Sequence, residues 1–88
     1  MKEKELERIL KALANKRRLA ILGFIKKEKE APVGDIADEI KLSFTATSKH
    51  LSVLASADIV EKEQRSLQMF YHVAPGLPEA ARRVISLL

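Results

Sequence analysis

The sequence contains no cysteine, and this absence excludes several kinds of chemistry. Disulfide bonds, thiolate metal ligands, cysteine nucleophiles and thiol redox switches all require that side chain. A zinc site needs three or four ligands, and His72 has neither a second histidine nor a carboxylate close to it in the sequence. A glycine-rich phosphate loop and a serine–histidine–acid set are also missing. We therefore predict no metal, no cofactor and no catalytic residue.

A long hydrophobic run is missing as well. No segment approaches the roughly 18 consecutive apolar residues that cross a membrane. Residues 1–5 alternate in charge and are not followed by an apolar segment, which is unlike a signal peptide. We therefore expect a cytoplasmic protein without a membrane partner.

The chain is short and moderately basic. Its 88 residues correspond to a single domain, residues 1–88, and 47% of them are hydrophobic. A fold of this size removes only roughly 60–65% of its unfolded surface from water, so a second subunit would add to its stability. The formal net charge of +4 favours a polyanionic partner.

The first half of the chain predicts two helices. Apolar residues recur at helical spacing in the first helix, at Leu6, Ile9, Leu10 and Leu13. Asn15 is a candidate N-cap for a second helix at about 16–29, in which we attribute Gly23 to a close approach between helices. The cations at 16–18 oppose the dipole of that helix, and either an external phosphate or simple solvation accounts for them.

A helix–turn–helix pattern follows. Ala31-Pro32 ends the second helix, and a short third helix is predicted at about 34–41. After a tight turn at Lys41-Leu42, Ser43 is the candidate N-cap of a fourth helix at about 44–57. Its inner face carries Thr47, Leu51 and Leu54.

The last third of the chain predicts a hairpin and one more helix. Residues 58–63 and 68–73 are predicted strands, and in the second Met69, Tyr71 and Val73 alternate with Gln68, Phe70 and His72. Residues 64–67 lack Gly and Asn, so we expect a four-residue connection. A last short helix carries the stripe Leu77, Ala81, Val84, Ile85 and Leu88. The predicted class is mainly α (α+β): a winged helix-turn-helix of about five helices with a two-stranded β-hairpin wing.

Several segments resemble the ArsR-type family of winged helix-turn-helix transcriptional regulators. They are Leu10–Leu19 with Ile21-Leu22, Asp35-Ile36-Ala37 with Leu42-Ser43, Ser48–Leu54, Ala57–Val60 and Phe70–Val73. The resemblance covers about residues 6–74. It implies a homodimer that binds a palindromic operator in double-stranded DNA, acts as a repressor, and often releases DNA when a metal or another signal arrives.

Two features depart from that family pattern. Metal-sensing members carry a cysteine–valine–cysteine triplet where this chain has Pro32-Val33-Gly34, and the last helix holds neither His nor Asp. A metal signal is therefore not expected, and a small-molecule effector of unknown identity is left open. The family also often has Gln where this chain has Phe44, so its usual base contact is not expected there.

One face of the fourth helix is suited to reading DNA. With Leu51 turned to the core, the residues pointing away are Thr45, Ser48, Lys49, Ser52 and Ser56. Small hydroxyl groups can lie close to base edges, and a lysine can reach guanine acceptors. There is no acidic residue from 42 to 57, whereas a merely solvated face usually carries some. This helix is therefore predicted to enter the major groove.

Three further residues are candidate DNA contacts. Ser43 caps the helix and could also meet a phosphate at the helix N-terminus. His50 lies at the rim of the core face, where it either packs or, as the resemblance implies, contacts phosphate. Arg65 is predicted near the tip of the wing, at about 59–73, where it either reaches the DNA backbone and minor groove or is simply solvated.

The first and last helices are predicted to form a homodimer interface. Its candidate residues are Leu6, Ile9, Leu10, Leu13, Leu77, Ala81, Val84, Ile85 and Leu88. The last stripe follows a unit whose core is already supplied, so we expect a second subunit to cover it. The alternative is that the last helix folds back onto its own domain.

Two functions from different classes remain open at this point. The first is a sequence-specific regulator that binds DNA as a homodimer. The second is a winged-helix module that docks on another protein and binds DNA weakly or not at all, for which the aromatic Phe44 is the one argument. An enzyme is the weakest possibility.

Overall fold

Five helices and three short strands make up the chain. The structure is a computed structural model that describes all residues, 1–88. The elements are α1 (Glu3–Leu13), α2 (Lys16–Glu28), β1 (Ala31–Pro32), α3 (Val33–Ile40), α4 (Phe44–Ser56), β2 (Val60–Arg65), β3 (Gln68–Val73) and α5 (Glu79–Ile85). The predicted winged helix-turn-helix fold is confirmed. No helix has both the length and the apolar character needed to span a membrane.

Helix α2 lies at the centre of the fold. It contacts α3, α4, α5 and β3, and its Ile21, Leu22 and Ile25 are fully buried. Leu51 and Leu54 of α4 are fully buried as well, as the apolar spacing predicts. The core therefore holds α4 by its inner face and leaves the opposite face in solvent.

Local capping fixes where the helices of the motif begin and end. The Asn15 side chain accepts a hydrogen bond from the backbone N–H of Arg18 at 3.0 Å. The Ser43 hydroxyl accepts one from the N–H of Ala46 at 3.1 Å. Between α3 and α4, Lys41 adopts the left-handed conformation with φ 56°, which turns the chain sharply. Both predicted N-caps are confirmed.

The hairpin turn is tighter than the sequence predicts. Strand β2 extends to Arg65, which pairs with Gln68, so only Ser66 and Leu67 form the turn. The expected four-residue connection is therefore wrong. Ser66 supplies the positive φ, 56°, that a two-residue hairpin turn requires, although serine has no special preference for it.

A third strand was not predicted. Residues 31 and 32, interpreted only as the end of a helix, form β1 and pair antiparallel with Tyr71 and Phe70 of β3. The strand order is β1-β3-β2, which places β1 at an edge. Pro32 is tolerated there because an edge strand does not need every N–H.

Basic side chains from other segments bond to the last carbonyl groups of four helices. The pairs are Arg8 with Ser56 of α4, Arg17 with Ile40 of α3, Arg18 with Lys11 and Ala12 of α1, and Lys26 with Ile85 and Leu88 at the end of α5. A cation is favourable at a helix C-terminus because the dipole is negative there. Two of the three cations that open α2 are thus explained without an external phosphate.

Helix α5 folds back onto its own domain. It packs on α1 and α2, and Ala81 and Ile85 are buried in the core of the same chain. The expectation that its whole stripe would need a second subunit is therefore wrong. The winged-helix core is open at α1 and α2, and this short helix closes it.

Gly23 has a different environment from the one we expected. A Cβ atom built at this position would meet only the Cβ of Leu88, at 4.0 Å, which is an ordinary contact. No close helix approach requires glycine here.

Candidate nucleic-acid interface

The outer face of α4 carries the predicted set of polar side chains. Thr45, Lys49, Ser52 and Ser56 are exposed, Ser48 is half-buried, and Ser43 is exposed at the N-cap. They share one side of the helix because the fully buried Thr47, Leu51 and Leu54 hold the other side against the core. The structure therefore brings six of the predicted contacts onto one continuous surface.

This surface is free of negative charge. Lys49 has no acidic partner within 4.0 Å, so its ammonium group is available to a ligand. Beside this face, between α1 and α4, lies an open groove of about 450 Å³ that includes Ser52 and Ser56. Arg8, Lys11 and Arg18 also line it, so the surroundings of the α4 face are basic.

His50 is held in place by an arginine. Its Nδ1 lies 3.2 Å from Nη1 of Arg18. Because an arginine can only donate, Nδ1 is the acceptor, and the ring proton of the neutral form lies on Nε2. Burial lowers the pKa of His50, and the charges of Arg18 and Arg17 lower it further. These effects favour the neutral ring, and a neutral imidazole can still donate to phosphate through Nε2.

Arg65 is not the free wing-tip cation that we expected. Its guanidinium group bonds both carboxylate oxygens of Glu30, at 2.5 and 2.8 Å, and those of Glu63, at 3.1 and 3.2 Å. It also lies 4.6 Å from the centre of the Phe70 ring. These bonds lower the pKa of Glu30 and Glu63 and raise that of Arg65. The two carboxylates compete with a DNA phosphate for this guanidinium group, so the geometry favours Arg65 less than an unpaired cation as a DNA contact.

The structure points to another wing cation. Lys62 is the only lysine or arginine between residues 59 and 73 besides Arg65. It lies on the opposite face of β2, is exposed, and has no acidic partner within 4.0 Å. From the sequence it was interpreted as a solvated strand residue, because only the tertiary structure shows that Arg65 is ion-paired and Lys62 is not.

Comparisons with known proteins support the same architecture. A family model described as "Helix-turn-helix domain" matches residues 13–63. A solution structure of fragment 1–100 of a possible ArsR-family transcriptional regulator from Mycobacterium bovis, a homodimeric winged helix-turn-helix DNA-binding domain, is 32% identical with a TM-score of 0.81. The match covers 96% of this chain and 74% of that one. The chain belongs to the ArsR-type family of winged helix-turn-helix transcriptional regulators.

Other relatives in this family include an activator and a nodulation protein. The transcriptional activator HlyU of Vibrio cholerae is 36% identical over 63 residues, which is 72% of this chain and 57% of HlyU. The nodulation protein NolR of Rhizobium meliloti is 39% identical over 62 residues, 70% of this chain and 50% of NolR. The chain thus spans about half the length of the curated relatives it matches. The structure of reduced HlyU has a TM-score of 0.82 at 30% identity, covering 97% and 85% of the two chains.

No group of three His, Asp or Glu side chains converges in this ArsR-type chain. Although His72 has no carboxylate close to it in the sequence, its Nε2 lies 3.4 Å from Oε1 of Glu61 across the hairpin. These two groups fall short of the three or four ligands of a zinc site. The absence of a metal response stays a prediction.

The predicted dimer residues fall into two groups. Ile9, Leu13, Ala81 and Ile85 are buried within the chain, so these four are not available to a second copy. Leu6, Leu10 and Leu88 are exposed, and Leu77 and Val84 are half-buried. The C-terminal Leu87, which we did not predict, is 84% exposed.

Three further exposed apolar residues lie on α4 and the hairpin turn. Phe44 at the start of α4 is 61% exposed, Val53 of the same helix is 42% exposed, and Leu67 at the wing tip is 97% exposed. From the sequence, Phe44 stood out as a departure from the family pattern and as the one argument for a docking module, whereas Val53 and Leu67 were not singled out.

Proposed function

We propose that this chain is a transcriptional regulator that binds a palindromic operator in double-stranded DNA as a homodimer. The observation that carries the proposal is the outer face of α4, which is rich in hydroxyl groups, free of acid and presented by a rigid core. The N-terminal part of such a helix contacts base edges when the helix lies in the major groove. The ArsR-type relatives, one of them a homodimeric DNA-binding domain by description, support the same reading.

Each polar residue has a specific place in this proposal. Lys49 reaches guanine acceptors, and Thr45 and Ser52 contact base edges or phosphates. Ser43 and His50 lie at the margins of the face, where phosphates flank the groove. Lys62 replaces Arg65 as the wing residue that contacts the backbone.

A second copy would cover the remaining apolar surface of the outer helices. Leu6, Leu10, Leu87 and Leu88 are exposed in a single chain, and each large aliphatic side chain that becomes fully buried contributes about 1.5–3 kcal/mol. A two-fold axis through this surface would bury every residue twice. The two α4 helices would then meet successive major grooves, ~34–36 Å apart.

Repression is the output that we propose. It requires only that the operator be occupied. Any effector would be a small molecule or a partner protein of unknown identity, since the chain offers no thiolate and no converging metal ligands.

The decisive experiment selects binding sites from a random pool of duplex DNA. An inverted repeat with half-sites about one helical turn apart is the expected result. Lys49→Ala should then weaken specific binding by about 1–3 kcal/mol if Lys49 contacts a base. Lys27→Ala, which removes an exposed lysine from the last turn of α2, is the matched control and should leave affinity nearly unchanged.

The results separate the proposal from its alternative. If Lys49 contacts only phosphate, the loss is similar for all sequences and the salt dependence falls by about one unit. Recovery of no preferred duplex, with equal affinity for Lys49→Ala and the unaltered protein, would favour the protein-docking module instead.

The oligomeric state needs its own test. Leu10→Glu should convert the dimer to a species of 9.9 kDa in sedimentation at micromolar concentration. Leu67→Glu places the same charge on the even more exposed wing tip and should leave the dimer intact. A dimer that survives Leu10→Glu would place the interface elsewhere.

A further inference from the structure

Phe44 is an exposed aromatic side chain at the N-terminal end of α4, beside the hydroxyl groups of Ser43 and Thr45. It is the first residue of α4, directly after the Ser43 cap and before Thr45. Its side chain stays outside the hydrophobic core, and the residue is 61% exposed. Packing of the core therefore supplies no reason for an aromatic ring at this position.

The proposed dimer surface does not supply that reason. Helix α4 approaches α1 near its C-terminal end, where Arg8 bonds to the carbonyl of Ser56. Phe44 lies twelve residues earlier, ~18 Å away along the helix axis. The exposed Leu6 of α1, half a turn from Arg8, therefore lies towards the other end of α4.

The chemistry of the major groove offers one apolar partner. A phenylalanine ring has no hydrogen-bond donor or acceptor, so it cannot read the polar edges of the bases. The C5-methyl group of thymine is the one apolar group that an unmodified base presents in that groove. The first residues of a recognition helix are also those that come closest to base edges.

We propose that Phe44 packs on the C5-methyl group of a thymine in each half-site of the operator and selects for that base. This inference rests on the proposed function, because it assumes that α4 enters the major groove. Two kinds of contact then recognise the operator. Lys49 and the hydroxyl groups supply polar contacts, while Phe44 discriminates by an apolar contact that no hydrogen bond can replace.

Replacing thymine by deoxyuridine tests the contact directly, because it removes only the methyl group and keeps the base pair. Each thymine of the selected operator is replaced in turn, and the affinity of the protein is measured. Burial of one methyl-sized group corresponds to ~4-fold in affinity. We expect ~4-fold weaker binding when one critical thymine per operator is changed and ~15-fold when both half-sites are changed.

Phe44→Ala supplies the second arm of the test. This variant should bind the thymine and deoxyuridine operators equally, so the two changes are not additive. The matched control is Leu67→Ala, which removes another exposed apolar side chain and should keep the full deoxyuridine effect. Both residues are exposed, so we expect each variant to fold, and circular dichroism checks this.

The outcomes distinguish this inference from the proposed function. If the protein selects an operator but no thymine methyl matters, or if the methyl effect persists in Phe44→Ala, the inference is overturned and DNA binding stands. A shift of the monomer–dimer equilibrium in Phe44→Ala without any change in the methyl effect would overturn it too, in favour of self-association. Failure to select any operator overturns the proposed function itself.

Discussion

Thr47 carries the only buried side-chain polar atom without a hydrogen-bond partner, and replacing it should make the protein more stable. The residue is fully buried on the inner face of α4, and its Oγ1 has no partner. Its backbone N–H is satisfied by the carbonyl of Ser43 at 3.0 Å, so only the hydroxyl group is at issue. Thr47→Val removes that hydroxyl and keeps the branched shape of the side chain.

The expected gain follows from the cost of an unsatisfied polar group. Burying a hydroxyl without a partner costs about 1–3 kcal/mol, and the methyl group that replaces it has no such cost. Valine and threonine have similar helix propensities, so the backbone contributes little to the difference. We expect the free energy of unfolding to rise by about 1–2 kcal/mol. For a domain of this size each kcal/mol corresponds to about 4–8 °C in the melting temperature.

Thermal and urea unfolding at one fixed protein concentration measure this effect, since the stability of an oligomer depends on concentration. Thr45→Val makes the same substitution at an exposed position of the same helix and should change stability by less than about 0.5 kcal/mol. Thr47→Ser keeps the hydroxyl, loses a methyl group and should destabilise. A Thr47→Val variant that is no more stable than the unaltered protein would refute the reasoning and show that the hydroxyl has a partner, such as a buried water.

Three further outcomes are expected. Gly23→Ala should raise the free energy of unfolding by about 0.8–1 kcal/mol, because glycine is costly inside a helix and the new Cβ meets only Leu88 at 4.0 Å; a destabilised variant in urea unfolding would contradict this. The folded-state pKa values of His50, Glu30 and Glu63 are all lowered, so each group favours folding above its unfolded pKa and loses that contribution as the pH falls through its folded pKa. The melting temperature should therefore fall as the pH drops below about 6.5, and again below about 4.5, and His50→Gln should abolish only the first decrease. Stoichiometric zinc or cadmium should neither change the melting temperature nor release DNA. A ligand that binds only the folded state at 100 times its Kd would add ~2.7 kcal/mol to the free energy of unfolding, so a clear shift with metal would reveal a site that we have missed.

The sequence alone determined the elements of this ArsR-type fold and the polar face of α4. Apolar spacing and capping residues act locally, so they place α2 and α4 and the caps at Asn15 and Ser43 to within a residue or two. The identity of the outward-facing residues of α4 also followed, because burying Leu51 fixes which residues of the same helix point outward.

Tertiary structure decided the features that depend on residues distant in the chain. Strand β1 exists only because β3 lies beside it, and that pairing brings Glu30 to Arg65, 35 residues away, and removes the guanidinium from the wing tip. Four basic side chains bond to the carbonyl groups at the ends of other helices, and they are of the same residue types, arginine and lysine, that bind phosphate. Which charges stabilise the fold and which remain free for DNA depends on distances between elements, and a linear pattern of charges does not contain those distances.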